Sequence, residues 1–492
     1  VNRAAGGVLA ATLIGALLRL WALDTRPIHH DEAVNWFLFY GVRGQGYYDY
    51  DPSNFHGPLH FLVGALVQGW FGDGLTTLRL PTALLGAALP PLVWLLRRQL
   101  GPAGTVAAAW LLATSPTLVY YARDAIHETW LVAFTLTGLI ALVRGWSAET
   151  STEARRAALL LGASFGGALA TKETVAILAA AAAPALLLAA ALRRPSPGFT
   201  RQLPAALAAA TLTTALLYTS FFQHPSDLLD LARTLQVWGA RGLDGDGHDK
   251  PATYFLGLLT RYEAAAVALS CLGAAWSVRR RDPFGLALTL TAAAQLAIYS
   301  AIPYKTPWLV LNLTLPLTVL AGLGARAISE GRLAVQLLGA VTLAPLAVLS
   351  LQHTARVCFV DHDRQAEPLV YVQTQRELVE LMRLAQRLPT PARLRSFYPE
   401  RYPMNWYLWH HGLSEEPLDP LPDEADGDLV LLDPHDAATL IPRMHGPYLR
   451  RDVPFRNGLL IAALLAERHA HLLTDRDNWD LLAPADAPPA SP

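Results

Sequence analysis

The chain has 492 residues, 52% of them hydrophobic and only 16% charged, against about 25% charged in an ordinary soluble domain. Its formal net charge of −1 lacks the basic excess of a nucleic-acid binder, so no nucleic acid is expected as a partner. Two cysteines, Cys271 inside an apolar stretch and Cys358 beyond the last one, argue against a disulfide framework and a cysteine metal site.

The shortage of charge lies before residue 352, in long Ala/Leu stretches, and the remainder has ordinary polarity. A membrane helix needs about 20 mostly apolar residues. In chain order the spans are predicted at 5–23, 78–96, 103–121, 127–145, 157–175, 176–192, 203–221, 254–276, 284–302, 308–325 and 333–351. The first has a basic start at Arg3, but Leu20-Trp21-Ala22-Leu23 is a poor cleavage site, so a retained helix is predicted. Residues 157–192 read as a tight helical hairpin interrupted by Lys172 and Glu173. Pro58 to Phe71 is apolar but short, and reads as a helix lying in the outer interface.

Arginines in short loops set the orientation. With Arg3 inside, Arg97-Arg98, Arg144 with Arg155-Arg156, Arg193-Arg194 with Arg201, Arg279-Arg280-Arg281, and Arg326 with Arg332 all fall on the cytoplasmic side. The unusual polar residues then collect on the outer face. They are His29-His30-Asp31-Glu32, the run Tyr47 to Pro52, and His56-Gly57-Pro58 in a long first loop at 24–77. Further along come Tyr121-Ala122-Arg123-Asp124 with His127-Glu128, the Lys172-Glu173 turn, Gln223 to Pro251, and Pro303 to Trp308. Charges gathered at one face fit an interfacial enzyme better than a proton-driven transporter, which places ionisable groups near the midplane.

The order of His29-His30-Asp31-Glu32, His56-Gly57-Pro58, Tyr121-Ala122-Arg123-Asp124, Ala170-Thr171-Lys172-Glu173 and Lys305-Thr306-Pro307-Trp308 resembles the flippase-activity-associated family implicated in archaeal N-glycosylation. That family is similar to protein O-mannosyltransferases and aminoarabinose transferases, all of the GT-C glycosyltransferase superfamily. The resemblance covers the membrane domain and extends to Arg364–Gln373 and Tyr402–Leu408. It implies a polyprenyl-phosphate sugar as donor, Asp31 as the catalytic carboxylate, and an Arg123-Asp124 loop beside Asp31 that helps hold the donor.

The chemistry needs a base for the acceptor and cations for the departing phosphate. Asp31 is the expected base, with Glu32 as a neighbour that orients or also titrates. Arg123 offers a bidentate fork, and Lys172 and Lys305 offer point charges. Asp124, His56 and Tyr304 are expected in support. One base and direct displacement predict inversion at the sugar. No cofactor is required, although a divalent metal among His29, His30, Asp31, Glu32 and His56 stays open, without metal-site spacing to favour it.

Structural readings stand beside these. Asp31-Glu32 also suits a helix N-terminus. Arg123 also suits snorkelling beside Asp124, and Lys172-Glu173 an internal ion pair. Lys305, His56 and His248 also read as loop residues, and Tyr304 and Trp308 as interfacial anchors.

Residues 352–483 are expected as a small α/β extracytoplasmic domain, with strands at 369–372, 394–397 and 429–432 and a helix at 376–388. Trp406-Tyr407-Leu408-Trp409 fits a core more readily than a glycan platform. Gly458 to Ala466 is apolar but too short to span. Residues 484–492 are Ala/Pro-rich and expected to be disordered.

The expected whole is an α-helical polytopic membrane protein with about 11 spans at 1–351 and the α/β domain after it. Its expected place is the plasma membrane, with the N-terminus cytoplasmic. Its expected partners are a polyprenyl-phosphate sugar lipid and a glycan, lipid or protein acceptor. Two alternatives accompany the transferase: a flippase or flippase-associated protein for lipid-linked glycans, and a glycan-binding scaffold working through its tail.

Overall fold

The structure, a computed structural model, describes residues 2–53, 56–244, 248–398, 402–411, 414–415, 426–456, 458–473 and 479–482. It divides into two compact units. The first comprises Val1–Asp24, Leu38–His362 and Glu367–Leu369, and the second Thr25–Phe37, Asp363–Ala366 and Val370–Pro492. The expected disordered end at 484–492 lies outside the described residues.

The chain opens with helices α1 (Asn2–Leu20), α2 (His30–Gln45), α3 (Leu59–Phe71), α4 (Leu75–Leu92), α5 (Arg97–Thr114), α6 (Pro116–Ala122), α7 (Glu128–Trp146), α8 (Ser151–Leu169) and α9 (Val175–Leu192). All eleven predicted spans lie on helices. By length and apolarity, seven of the described helices can cross a membrane, or eight if the bent pair Tyr254–Tyr262 and Ala264–Arg280 is one span. This makes the protein a multi-pass membrane protein.

The lower number has local causes. Leu75–Thr114 is one long run holding two predicted spans. Its break is at Gly101, whose φ of 68° leaves the helix. The helix α8 begins with Glu153, Arg155 and Arg156, and Leu203–Tyr218 has only 16 residues. The span predicted at 103–121 stops at Thr114, because Ser115 turns extended and its side chain caps Leu118 N–H, with Pro116 opening α6.

Cheap local signals start the other helices. Thr150 and Glu153 form a capping box at α8. Asp282 caps Pro283–Ala301 through Gly285 N–H at 2.7 Å. The centre is Leu311–Ser329, which packs on Ala264–Arg280 backbone to backbone. A Cβ at Gly273 would lie 2.1 Å from the Leu320 carbonyl oxygen, and one at Gly324 would lie 2.0 Å from that of Leu269. Without a hydrophobic force between helices in lipid, such close van der Waals contact is what holds them.

The second unit carries a six-stranded sheet. Its strands are β1 (Leu394–Ser396), β2 (Ser414–Glu415), β3 (Leu429–Leu432), β4 (Tyr448–Arg456), β5 (Leu459–Ala466) and β6 (Asp480–Leu482), in the order β2-β1-β3-β5-β4-β6. The apolar stretch at 458–466 is therefore β5, a central strand paired antiparallel to β3 and β4. Phe397, Val430, Leu432, Ala462 and Leu464 form its core with Leu440 and Tyr448. The predicted helix is found at Arg376–Gln386. Residues 369–372 form no strand: Val372 has a φ of 47°, and the pairing begins at Gln373, opposite His29. The aromatic run lies on the helix Met404–His411, with Tyr407 and Leu408 buried and Trp409 exposed.

Candidate active site

In the second unit, the first turn of α2 carries both acids of the His-His-Asp-Glu motif. They have different surroundings. Glu32 is fully buried, and its Oε2 accepts the His29 backbone N–H at 2.9 Å. This is half of a capping box, the part in which an acid reaches back to the residue before the helix. Asp31 is half-buried. Among the described residues of its unit, the Asp31 carboxylate accepts no hydrogen bond and makes no ion pair.

The backbone beneath Asp31 is firmly held. Its N–H donates to His29 Nδ1 at 3.0 Å, and His29 Nε2 lies 2.6 Å from the Tyr371 carbonyl oxygen. The first contact makes Nδ1 an acceptor, so Nε2 carries the proton and donates. Gln373 donates to the Pro27 carbonyl at 2.8 Å, and Thr374 Oγ1 to that of Ile28. With both ring nitrogens engaged, His29 has no lone pair left for a metal. His30 makes one bond, between Nδ1 and the Tyr402 carbonyl at 3.1 Å. Burial lowers the His30 pKa, with Asp31 opposing and Arg456 assisting.

In the first unit, His56-Gly57, His127-Glu128 and Lys172-Glu173 meet around the turn between α8 and α9. Gly57 packs on that turn so closely that a Cβ would lie 2.4 Å from the Ala170 carbonyl oxygen, which also accepts Leu59 N–H at 2.9 Å. Neighbouring His56 places Nδ1 3.0 Å from Glu173 Oε2. Its ring stacks on Trp238 at 4.7 Å and meets the His127 ring edge at 4.8 Å, and His127 meets His60 at 4.7 Å. Lys172 Nζ donates to Glu128 Oε1, and both side chains are buried.

These contacts set the charges. Burial pushes the His127 imidazole well below its ordinary range, with His60, His56 and Lys172 adding to it, so it is neutral. Its Nε2 has no hydrogen-bond partner among the described residues. Burial alone would raise the Glu173 carboxyl, but the facing His56 outweighs it and holds the carboxyl below its usual value.

Arg123 is anchored at the end of α1. Its guanidinium donates to the carbonyls of Leu18 (3.1 Å), Arg19 (3.4 Å), Trp21 (2.6 Å) and Ala22 (2.8 Å), and it stacks over Phe359 at 4.7 Å. It satisfies the open carbonyls at the end of α1. Arg19 does the same for α5, donating to Leu112 at 2.8 Å and Ala113 at 2.9 Å. Asp124 beside Arg123 is buried.

Lys305 and Tyr304 are held by the segment His248–Lys250. Lys305 N–H donates to the His248 carbonyl at 3.1 Å, Tyr304 bridges Asp249, and the Tyr304 and His248 rings lie 4.7 Å apart. The buried Lys305 ammonium donates to the carbonyls of Lys250 (3.2 Å) and Ile302. Burial lowers its pKa, and Asp249 opposes this. Unlike Lys172, it makes no carboxylate ion pair among the described residues.

The profile of the dolichyl-phosphate-mannose-protein mannosyltransferase family matches residues 55–220. No curated protein matches the sequence significantly. ArnT from Cupriavidus metallidurans, solved bound to undecaprenyl phosphate, superposes with a TM-score of 0.65 at 15% identity, over 96% of this chain and 99% of that one. The chain has the GT-C glycosyltransferase fold. The apo oligosaccharyltransferase of Archaeoglobus fulgidus shares the GT-C fold more distantly, with a TM-score of 0.51 at 12% identity, over 92% of this chain and 74% of that one.

Several polar residues of this fold were not singled out from the sequence. Glu263 sits at the 102° bend between Tyr254–Tyr262 and Ala264–Arg280 and accepts from Ser115 Oγ (2.6 Å) and Thr117 Oγ1 (2.7 Å). His60 lay in the stretch read as an interfacial helix, and Trp238 in the outer loop Gln223 to Pro251. An acid at the break of an apolar stretch was the one available clue to Glu263.

Proposed function

We propose that the protein is a membrane glycosyltransferase. It moves a sugar from a polyprenyl-phosphate donor to a glycan, lipid or protein acceptor at the outer face of the plasma membrane, with the N-terminus cytoplasmic and the second unit extracytoplasmic. Asp31 is the general base. It takes the proton of the acceptor as the acceptor atom bonds to the anomeric carbon. The bond from that carbon to the phosphate oxygen breaks, and the lipid phosphate leaves with the electron pair. A single displacement of this kind inverts the anomeric carbon.

The observation that carries this reading is the contrast inside one helical turn. Glu32 is consumed by the helix end, while the Asp31 carboxylate is left uncommitted within its unit above a hydrogen-bonded backbone. A base needs a free lone pair and a fixed position. Lys305, a buried ammonium bonded only to carbonyls, supplies the charge for the leaving phosphate. Lys172 is paired with Glu128 and contributes through that pair, and Arg123 serves as a positioning residue at the end of α1. The GT-C fold and a similar protein bound to undecaprenyl phosphate support the donor class. The engaged nitrogens of His29 favour a mechanism in which no metal binds at Asp31.

The test is turnover of labelled polyprenyl-phosphate sugars by the purified protein in nanodiscs. Transfer that survives exhaustive chelation, gives inverted product by NMR and is lost in Asp31→Asn with donor binding retained supports the proposal. Headgroup movement across proteoliposomes without transfer would replace it with the flippase reading.

A further inference from the structure

We infer that Asp49, His224 and Asp227 bind one divalent metal ion of the zinc class, which clamps the first loop onto the helix Asp227–Asp244. The site lies wholly in the helical unit, excludes every residue assigned to transfer above, and stands independently of that reading.

One imidazole nitrogen and two carboxylate oxygens lie within 4.8 Å of one another. Ligand atoms about 2 Å from a tetrahedral zinc ion stand roughly 3–3.5 Å apart, so a small closure seats an ion and leaves a fourth position for water. Nitrogen in the set disfavours magnesium and calcium, which take oxygen. His224 Nδ1 and Asp227 Oδ1 already stand 2.5 Å apart, joined by a proton that a divalent ion replaces. Asp49 is exposed, giving the ion a route in, and Asp227 is buried.

Each inner ligand is oriented by a second contact, as metal ligands usually are. Asp227 Oδ2 accepts Tyr50 N–H at 3.1 Å. The Tyr47 ring stacks on His224 at 4.6 Å with 13° between the planes. The backbone that presents His224 runs through Ser220, Phe221 and Phe222, all at positive φ (46°, 60° and 69°). Ser220 Oγ also accepts Tyr48 N–H at 3.0 Å. The ion would complete this set of ties. Its reach extends along the helix to Trp238, which stacks on His56. Metal binding thereby orders the floor beneath His56 and Glu173.

The test is zinc titration of the full-length, chelator-stripped protein in nanodiscs by calorimetry, with bound metal counted by mass spectrometry. Wild type is expected to take one Zn²⁺ per chain. Asp49→Asn and His224→Gln should each weaken binding by more than about a hundredfold, beyond the cost of losing a supporting contact. Tyr47→Phe should keep the full equivalent. No bound zinc in wild type would leave His224 and Asp227 as a plain hydrogen-bonded pair and overturn the proposal. Equal zinc in wild type and Asp49→Asn would also overturn it. Because Asp49 is exposed, that variant decides the matter even if His224→Gln fails to fold.

Discussion

Two turns, one in each unit, treat their charged side chains in opposite ways. Around the α8–α9 turn the charges have counterparts: Lys172 has Glu128 and Glu173 has His56. Elsewhere in the unit, Arg123 has four carbonyls at the end of α1. At the first turn of α2, one acid is tied to the backbone and its neighbour Asp31 is left uncommitted within its unit. A charge buried in an apolar setting is first of all a solvation problem, and pairing is its usual solution. Reactivity is therefore to be sought in the charge left over. By that criterion, Asp31 and Lys305 rank above Arg123 and Lys172.

The comparison is broken most directly at Asp31. Asp31→Asn should lower transfer by about 10²- to 10⁴-fold, the usual range for a general base, with an unchanged melting temperature. A variant that melts early would instead mark Asp31 as a structural residue. Lys172→Met should do the reverse, costing about 3–5 kcal/mol of stability because Glu128 is left buried and unpaired. Thermal unfolding in nanodiscs reads this, and Lys172→Met with Glu128→Gln should recover much of the loss. Failure of the double variant to recover would show that Lys172 is needed for more than its partner.

Smaller effects sharpen the picture. Gly57→Ala forces a methyl to within 2.4 Å of the Ala170 carbonyl oxygen and should cost about 1–3 kcal/mol by overpacking. It should also loosen His56 from Glu173, visible in the histidine resonances.

The smallest effect is in the sheet unit. Burial alone would raise the Asp428 carboxyl, but Arg393 N–H, His469 and Arg468 bring it down to about 2. Its stabilising contribution is therefore complete above the ordinary carboxyl value of about 3.9 and lost as pH falls toward 2. Asp428→Asn should flatten the acid limb of sheet unfolding in that window, followed by circular dichroism.

Much of the fold was legible in the sequence because long apolar runs and their arginine punctuation are local signals. The runs fall on helices, and the Lys172-Glu173 interruption is the turn between α8 and α9. The breaks were harder to see. The end of α5 at Thr114 depends on Ser115 and Pro116, and the bend at Glu263 on hydroxyls about 150 residues earlier in the chain. The site was legible as residue types, since Asp31, Lys172 and Lys305 stand out in any hydropathy trace. Their contacts were not, because those depend on which distant group each side chain meets. Arg123 illustrates this, since its partners lie about a hundred residues upstream. Short apolar runs marked the tail strands at 394–396 and 429–432, but at 369–372 a positive φ at Val372 ends the extended run.

The arginine caps also bear on the order in which the protein is made. The last carbonyls of α1 meet Arg123, about a hundred residues downstream, and Arg19, besides donating to Gly15 of its own helix, reaches the carbonyls of Leu112 and Ala113. Unmet carbonyls are costly in hydrocarbon. Until some hundred further residues have emerged, the first helix is held by whatever donors the insertion machinery or the headgroups lend it. The pair Arg19 and Arg123 thus works as a latch that closes only when the segments carrying α1, α5 and α6 have come together.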